Sequence, residues 1–109
     1  MTISYSIESG RTEAHLSEVS SWELFDSIAQ TIVQRFGGRW VEKLDGPEQR
    51  YWDLEVDDVV LTLHLEHYSG ISLYPASDPG NLVAANSLIK TIGAFLQDSL
   101  DELEIGEHK

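Results

Sequence analysis

From Arg50 to Pro75 the chain reads RYWDLEVDDVVLTLHLEHYSGISLYP, and almost every second residue is apolar. Trp52, Leu54 and Val56 alternate in this way, then Val59, Leu61, Leu63 and Leu65, then Ile71 and Leu73. Between them stand Tyr51, Asp53 and Glu55, then Thr62, His64 and Glu66, then Ser72 and Tyr74. A strand sends successive side chains to opposite faces. The stretch therefore predicts three strands with one apolar face and one polar, acidic and aromatic face. Asp57-Asp58 and Tyr68-Ser69-Gly70 supply short turns, and short turns between consecutive strands imply an antiparallel meander. The Asp57-Asp58 pair lacks the glycine that the tightest hairpin turns favour.

An apolar sheet face needs a cover, and two amphipathic stretches provide it. Ser20 and Glu23 have capping-box spacing, with Val19 and Leu24 as a possible hydrophobic staple. Trp22, Phe25, Ile28, Ala29, Ile32, Val33 and Phe36 follow at helical spacing, and Gly37-Gly38 ends the run. This predicts a helix over Ser21 to Phe36. A second helix is expected from Asp78, with Asp78 as N-cap and Pro79 at the first helical position. Its apolar stripe runs from Leu82 through Ala85, Leu88, Ile89, Ile92, Phe95, Leu96 and Leu100 to Leu103. Gly93 interrupts that stripe, as a place of close contact or a bend. The acidic end, with Asp98, Asp101, Glu102, Glu104 and Glu107, opposes the helix dipole, so it should fray or meet a cationic surface.

Thr2 to Glu8 alternates and predicts a first strand, broken by Ser9-Gly10-Arg11, and Thr12 to Val19 reads as a connection. Arg39 to Leu44 predicts another strand, whose inward face is ambiguous because Trp40 and Val41 are adjacent. The expected order is β-α-β-β-β-β-α. It implies an α+β two-layer sandwich, one domain over residues 1–109, with a mostly antiparallel sheet and both helices on one face.

Charge narrows the partners. Nineteen acidic residues stand against 7 basic, a formal net charge of −12 over 109 residues. Nucleic acid and anionic membrane are poor partners for such a chain, because phosphate contacts need clustered Lys and Arg. The balance favours either plain solubility, as in many acidic proteins, or a basic protein partner drawn in by long-range attraction. With no cysteine, disulfides, zinc–thiolate sites and thiol catalysis are excluded. The N-terminal MTISYSIESGR has no basic region followed by an apolar run, so a cytoplasmic location is expected.

Two constellations bear on chemistry. His64, Glu66 and His67 form H-x-E-H. On a strand, His64 and Glu66 share a face while His67 points away, and two ligands do not close a metal site. His15 and His108 would have to reach it from a loop or tail. Asp53, Glu55 and Glu66 are candidate paired carboxylates, but a sheet face with short loops offers no cleft for hydrolysis. No catalytic set, metal or cofactor is expected. Tyr51, Asp53, Glu55, His64, Glu66 and Tyr74 are instead the candidate partner-binding residues, against the alternatives of an ordinary solvated sheet face or a face that pairs with itself. Tyrosine gives large contact area at modest entropy cost, and carboxylates around it suit a cationic partner.

The run from Trp52 to Pro75, with alternating leucines, then H-x-E-H-Y, then G-I-x-L, resembles that of small standalone bacterial proteins of uncharacterised function. The size, acidity and element plan are similar to immunity proteins of bacterial toxin systems, including contact-dependent inhibition and polymorphic toxins. That resemblance implies a non-enzymatic inhibitor binding a cationic toxin domain such as a nuclease. Immunity families share no motif, so it assigns no residue. A second similarity is to type III secretion chaperones, which are dimeric and usually begin with a helix rather than a strand. A structural homodimer, and a small metal protein or hydrolase using His64 and Glu66, are the remaining alternatives.

Overall fold

The computed structural model describes the backbone of residues 3–107 and the side chains of residues 3–99. The strands are β1 (Ser4–Glu8), β2 (Arg11–Ser17), β3 (Arg39–Asp45), β4 (Gln49–Val56), β5 (Val59–Glu66) and β6 (Gly70–Pro75). The helices are α1 (Trp22–Phe36) and α2 (Leu82–Glu107). All strands join one antiparallel sheet in the order β1-β2-β6-β5-β4-β3, and both helices cover the same face.

The α+β two-layer arrangement is the expected one, with six strands where five were anticipated. The extra strand, β2, is the segment read as a connection. It follows β1 through a two-residue turn, Ser9-Gly10, in which both residues have positive φ. Thr12, Ala14 and Leu16 then alternate into the core. Two of these are small or partly polar, which is why the alternation is faint. Asn86 of α2 holds this hairpin from above. Its Oδ1 accepts from the Thr12 backbone N–H at 2.9 Å, and its Nδ2 donates to the Gly10 carbonyl at 2.8 Å.

The meander follows its sequence pattern closely. Trp52, Leu54 and Val56 of β4, Leu61, Leu63 and Leu65 of β5, and Ile71 and Leu73 of β6 all face the helices and are buried. They meet Phe25, Ile28 and Ile32 of α1 and Ala85, Ile89, Ile92 and Leu96 of α2 in one core. The Asp57-Asp58 turn achieves the tight geometry without glycine, at φ of 49° and 66°. In β3 the Trp40–Val41 ambiguity resolves into a bulge. Trp40 pairs with Leu54 and Glu42 with Asp53, so Val41 is the extra residue.

Both helices start later than expected. Ser21, not Ser20, caps α1, and its hydroxyl accepts from the Leu24 N–H at 3.1 Å. Ser20 instead donates to the carbonyls of Glu66 and His67, tying the helix entry to the end of β5. Val19 is exposed, so the anticipated staple does not form. Asp78-Pro79 belongs to a loop rather than to α2. The Pro79 carbonyl accepts from the Val60 N–H at 3.0 Å, and Gly80 has φ of +86°, which ends any helix there. Asn81 caps instead, its side chain accepting from the Ala84 N–H at 3.0 Å. Gly93 is a contact residue: a Cβ there would lie 2.1 Å from the Tyr5 hydroxyl of β1. Leu100, Leu103, the acidic side chains from Asp101 onward and His108 lie outside the described side chains.

Among the described residues, one charged side chain, Arg50, lies inside the core layer. Arg50 of β4 is 6% exposed and faces the helices beside Trp52. Its guanidinium carbon is 4.4 Å from the Trp22 ring centre, 4.6 Å from Phe25 and 4.3 Å from Trp52. Asp26 and Asp45 accept its hydrogen bonds at 2.9 and 3.1 Å. Trp22, expected in the buried stripe of α1, is a partly exposed lid on this arginine.

Candidate functional site

With both helices on one face, the other face of the sheet is open. The strand register fixes what it presents. Tyr51 of β4 pairs with His64 of β5, His64 with Ser72 of β6, and Ser72 with His15 of β2. One row up, Glu42 pairs with Asp53, Asp53 with Thr62, and Thr62 with Tyr74.

Tyr51, His64 and Tyr74 make a continuous aromatic cluster. The Tyr51 and His64 rings stack with centroids 4.2 Å apart, and Tyr74 meets His64 edge-on at 5.9 Å. The Thr62 hydroxyl donates to Asp53 Oδ1 at 2.6 Å, which fixes that carboxylate beside the cluster. Ser72 Oγ lies 3.5 Å from His15 Nδ1. Glu55 is set apart, paired with Arg39 at 3.1 Å, and Glu66 is exposed at the end of β5. The structure thus gathers Tyr51, Asp53, His64 and Tyr74 and leaves Glu55 and Glu66 at the periphery of the same face. His67 is exposed, with its ring against Tyr68.

The electrostatics of the cluster follow from partial burial. His64 Nε2 is shielded from solvent and makes no hydrogen bond. Burial holds the His64 pKa below its ordinary value, against the opposing pull of Glu66 and Glu13. Burial also pushes the Tyr74 hydroxyl up to about 12, helped by Tyr51 and then by neighbouring carboxylates.

These shifts predict a stability profile with two limbs. The unfolded chain protonates His64 near its ordinary value of 6.5, whereas the folded chain resists. Stability is therefore complete above that value and falls as the pH drops through it. The unfolded chain ionises Tyr74 near 10, whereas the folded chain does so near 12, so stability falls as the pH climbs between them. Denaturation midpoints across pH should show both limbs. His64→Phe should flatten the acidic limb and Tyr74→Phe the alkaline one.

Two shallow concavities lie on this face, on either side of Tyr74. One, of about 240 Å³, is bordered by Ser6, Glu13 and Tyr74. The other, of about 610 Å³, runs from Glu42 and Leu44 of β3 past Tyr51, Asp53 and Tyr74 to Arg11 and Asp78. Sequence reasoning missed Glu13 and His15 because β2 was not recognised. The Ser-Gly pair between two alternating runs was the available hairpin signal. His15 reaches this face from a strand rather than from a loop. Glu42 and Leu44 were missed because their facing depends on the bulge at Val41.

Among the described residues, no group of three or more His, Asp or Glu is placed to hold a metal ion. No helix among them is long and apolar enough to cross a membrane. Residues 4–89 match a family described as Protein of unknown function (DUF3630). No curated protein and no solved structure matches the chain.

Proposed function

This chain belongs to the DUF3630 family, and we propose that it is a non-enzymatic protein-binding module that holds a basic partner on its open sheet face. The observation that supports this reading most is the Tyr51–His64–Tyr74 cluster, uncovered by either helix and ringed by carboxylates. Partly exposed aromatic side chains give contact area with little entropy to lose. Asp53, Glu13 and Glu66 around them draw in a cation and set its orientation. The net charge of −12 extends that attraction well beyond contact distance. An immunity-type inhibitor that neutralises a cationic toxin domain inside a bacterial cell is the specific form we put forward.

The test is capture from the native extract at low salt, with wild-type protein beside the variant Glu13→Lys/Glu66→Lys. Association kinetics follow with the protein recovered. Both substituted residues are exposed, so the fold should be kept. A basic protein should be captured by the wild type, with an association rate that falls as salt rises. The variant should associate about tenfold more slowly, with little change in dissociation. Equal capture by both proteins, or no basic protein captured, would remove this reading.

A further inference from the structure

We infer that the larger groove of the open face is a receptor for an arginine side chain carried by an extended segment of the partner. This deepens the binding-module reading and rests on it for the identity of the partner, but the groove is argued from its own geometry.

Glu42 and Asp53 are direct cross-strand partners. Like charges placed opposite one another destabilise a sheet. Among the described residues, no cation forms an ion pair with either carboxylate. Arg39 is bound to Glu55, and Lys43 lies over the Trp52 ring on the helix-facing side. Arg11 lines the same groove at its β6 end, where it donates to the carbonyls of Pro75 and Ala76 rather than to either carboxylate. The two carboxylates line a groove of about 610 Å³ rather than a convex surface. Asp53 is also pre-positioned. Thr62 occupies its Oδ1, which leaves Oδ2 to receive a donor.

The rest of the groove selects among cations. Tyr51 and Tyr74 supply aromatic surface, and His64 covers one face of Tyr51 and steadies it. Exposed Leu44 and half-buried Val60 offer apolar surface for a methylene stem. A planar guanidinium stacks on tyrosine and presents several fixed donors to carboxylates at once. An ammonium is a hydrated point charge and does neither as well. Arginine is therefore the better fit than lysine.

The probe is the blocked tripeptide acetyl-Gly-Arg-Gly-amide, titrated into isotopically labelled full chain while backbone amide resonances are followed. Matched peptides carry lysine or citrulline in place of arginine. Shifts should concentrate at Glu42, Asp53, Thr62 and Tyr74. The lysine peptide should bind several-fold more weakly, and citrulline should produce no saturable shift. Asp53→Asn preserves shape and the bond from Thr62, and should weaken arginine binding about tenfold, as loss of one charge-assisted hydrogen bond does. Glu42→Gln, at an exposed edge position, gives the same comparison should Asp53→Asn disturb the fold. Shifts scattered over the surface, or equal responses to arginine and lysine that ignore both variants, would overturn the inference. If the groove fails while Glu13→Lys/Glu66→Lys still slows capture of a basic protein, the binding module stands without this receptor. If the peptide seats in the groove and no protein is captured, the receptor stands and the proposed partner class falls.

Discussion

Arg50→Ala is expected to cost about 3 kcal/mol of folding stability, read as a fall in the urea midpoint at constant slope. Arg50 is 6% exposed, and its guanidinium carbon lies within 4.6 Å of three ring centres. A desolvated cation over one ring contributes roughly 1–2 kcal/mol, and three rings sharing one cation contribute less than three times that. Truncation also leaves a cavity beneath Trp22, between Phe25 and Trp52. The carboxylates of Asp26 and Asp45 are partly exposed, so they return to water and are not stranded. Their loss of Arg50 therefore adds little. Asp45 keeps the Trp52 indole N–H at 2.8 Å, the largest cause of its lowered pKa, with Arg50 contributing less. Arg50→Lys should recover less than half of the loss, because an ammonium cannot stack on the rings while bonding both carboxylates. A change under about 0.5 kcal/mol would mean the cage is ornamental to stability.

Gly70→Ala should cost at least about 3 kcal/mol. Gly70 begins β6 at φ of +88°, and a Cβ there would lie 2.0 Å from the Ser17 carbonyl and 2.8 Å from the Glu18 Cα. Both obstacles are backbone. Relief requires moving the end of β2, where Ser17 pairs with Ile71 beyond a register shift. Gly10→Ala is the control. Its φ is +75°, with nothing within 4 Å of the added carbon. It should lose only the cost of a left-handed alanine, about 1–2 kcal/mol. The difference between the two variants isolates the clash. Equal losses would show that strain alone acts at Gly70.

The meander was legible because its alternation is long and uses large residues, and because two-residue and three-residue turns leave no freedom in register. Once Leu61, Leu63 and Leu65 face the helices, His64 must lie between Tyr51 and the strand carrying Tyr74. The aromatic centre of the open face followed from that parity. Segments whose facing depends on a weak or irregular pattern were not legible. Thr12 and Ala14 are poor markers of a buried face, so β2 passed for a connection and Glu13 and His15 went with it. Ser20 has the capping-box spacing to Glu23, but its hydroxyl is drawn to the distant Glu66 and His67 carbonyls, and the cap falls to Ser21. Asp78-Pro79 has the local chemistry of a helix start. The decision belongs to a distant partner, the Val60 N–H that the Pro79 carbonyl satisfies.

Val41 has a consequence for the sign of the groove. Were this residue drawn into the ladder opposite Asp53, every later side chain of β3 would change sides. Lys43 would come to rest beside Tyr51, Glu42 would be driven against the indole of Trp52, and the wall that now repels anions would attract them. One residue of slack at the sheet's outer margin thus sets the polarity of that wall, with no change in composition.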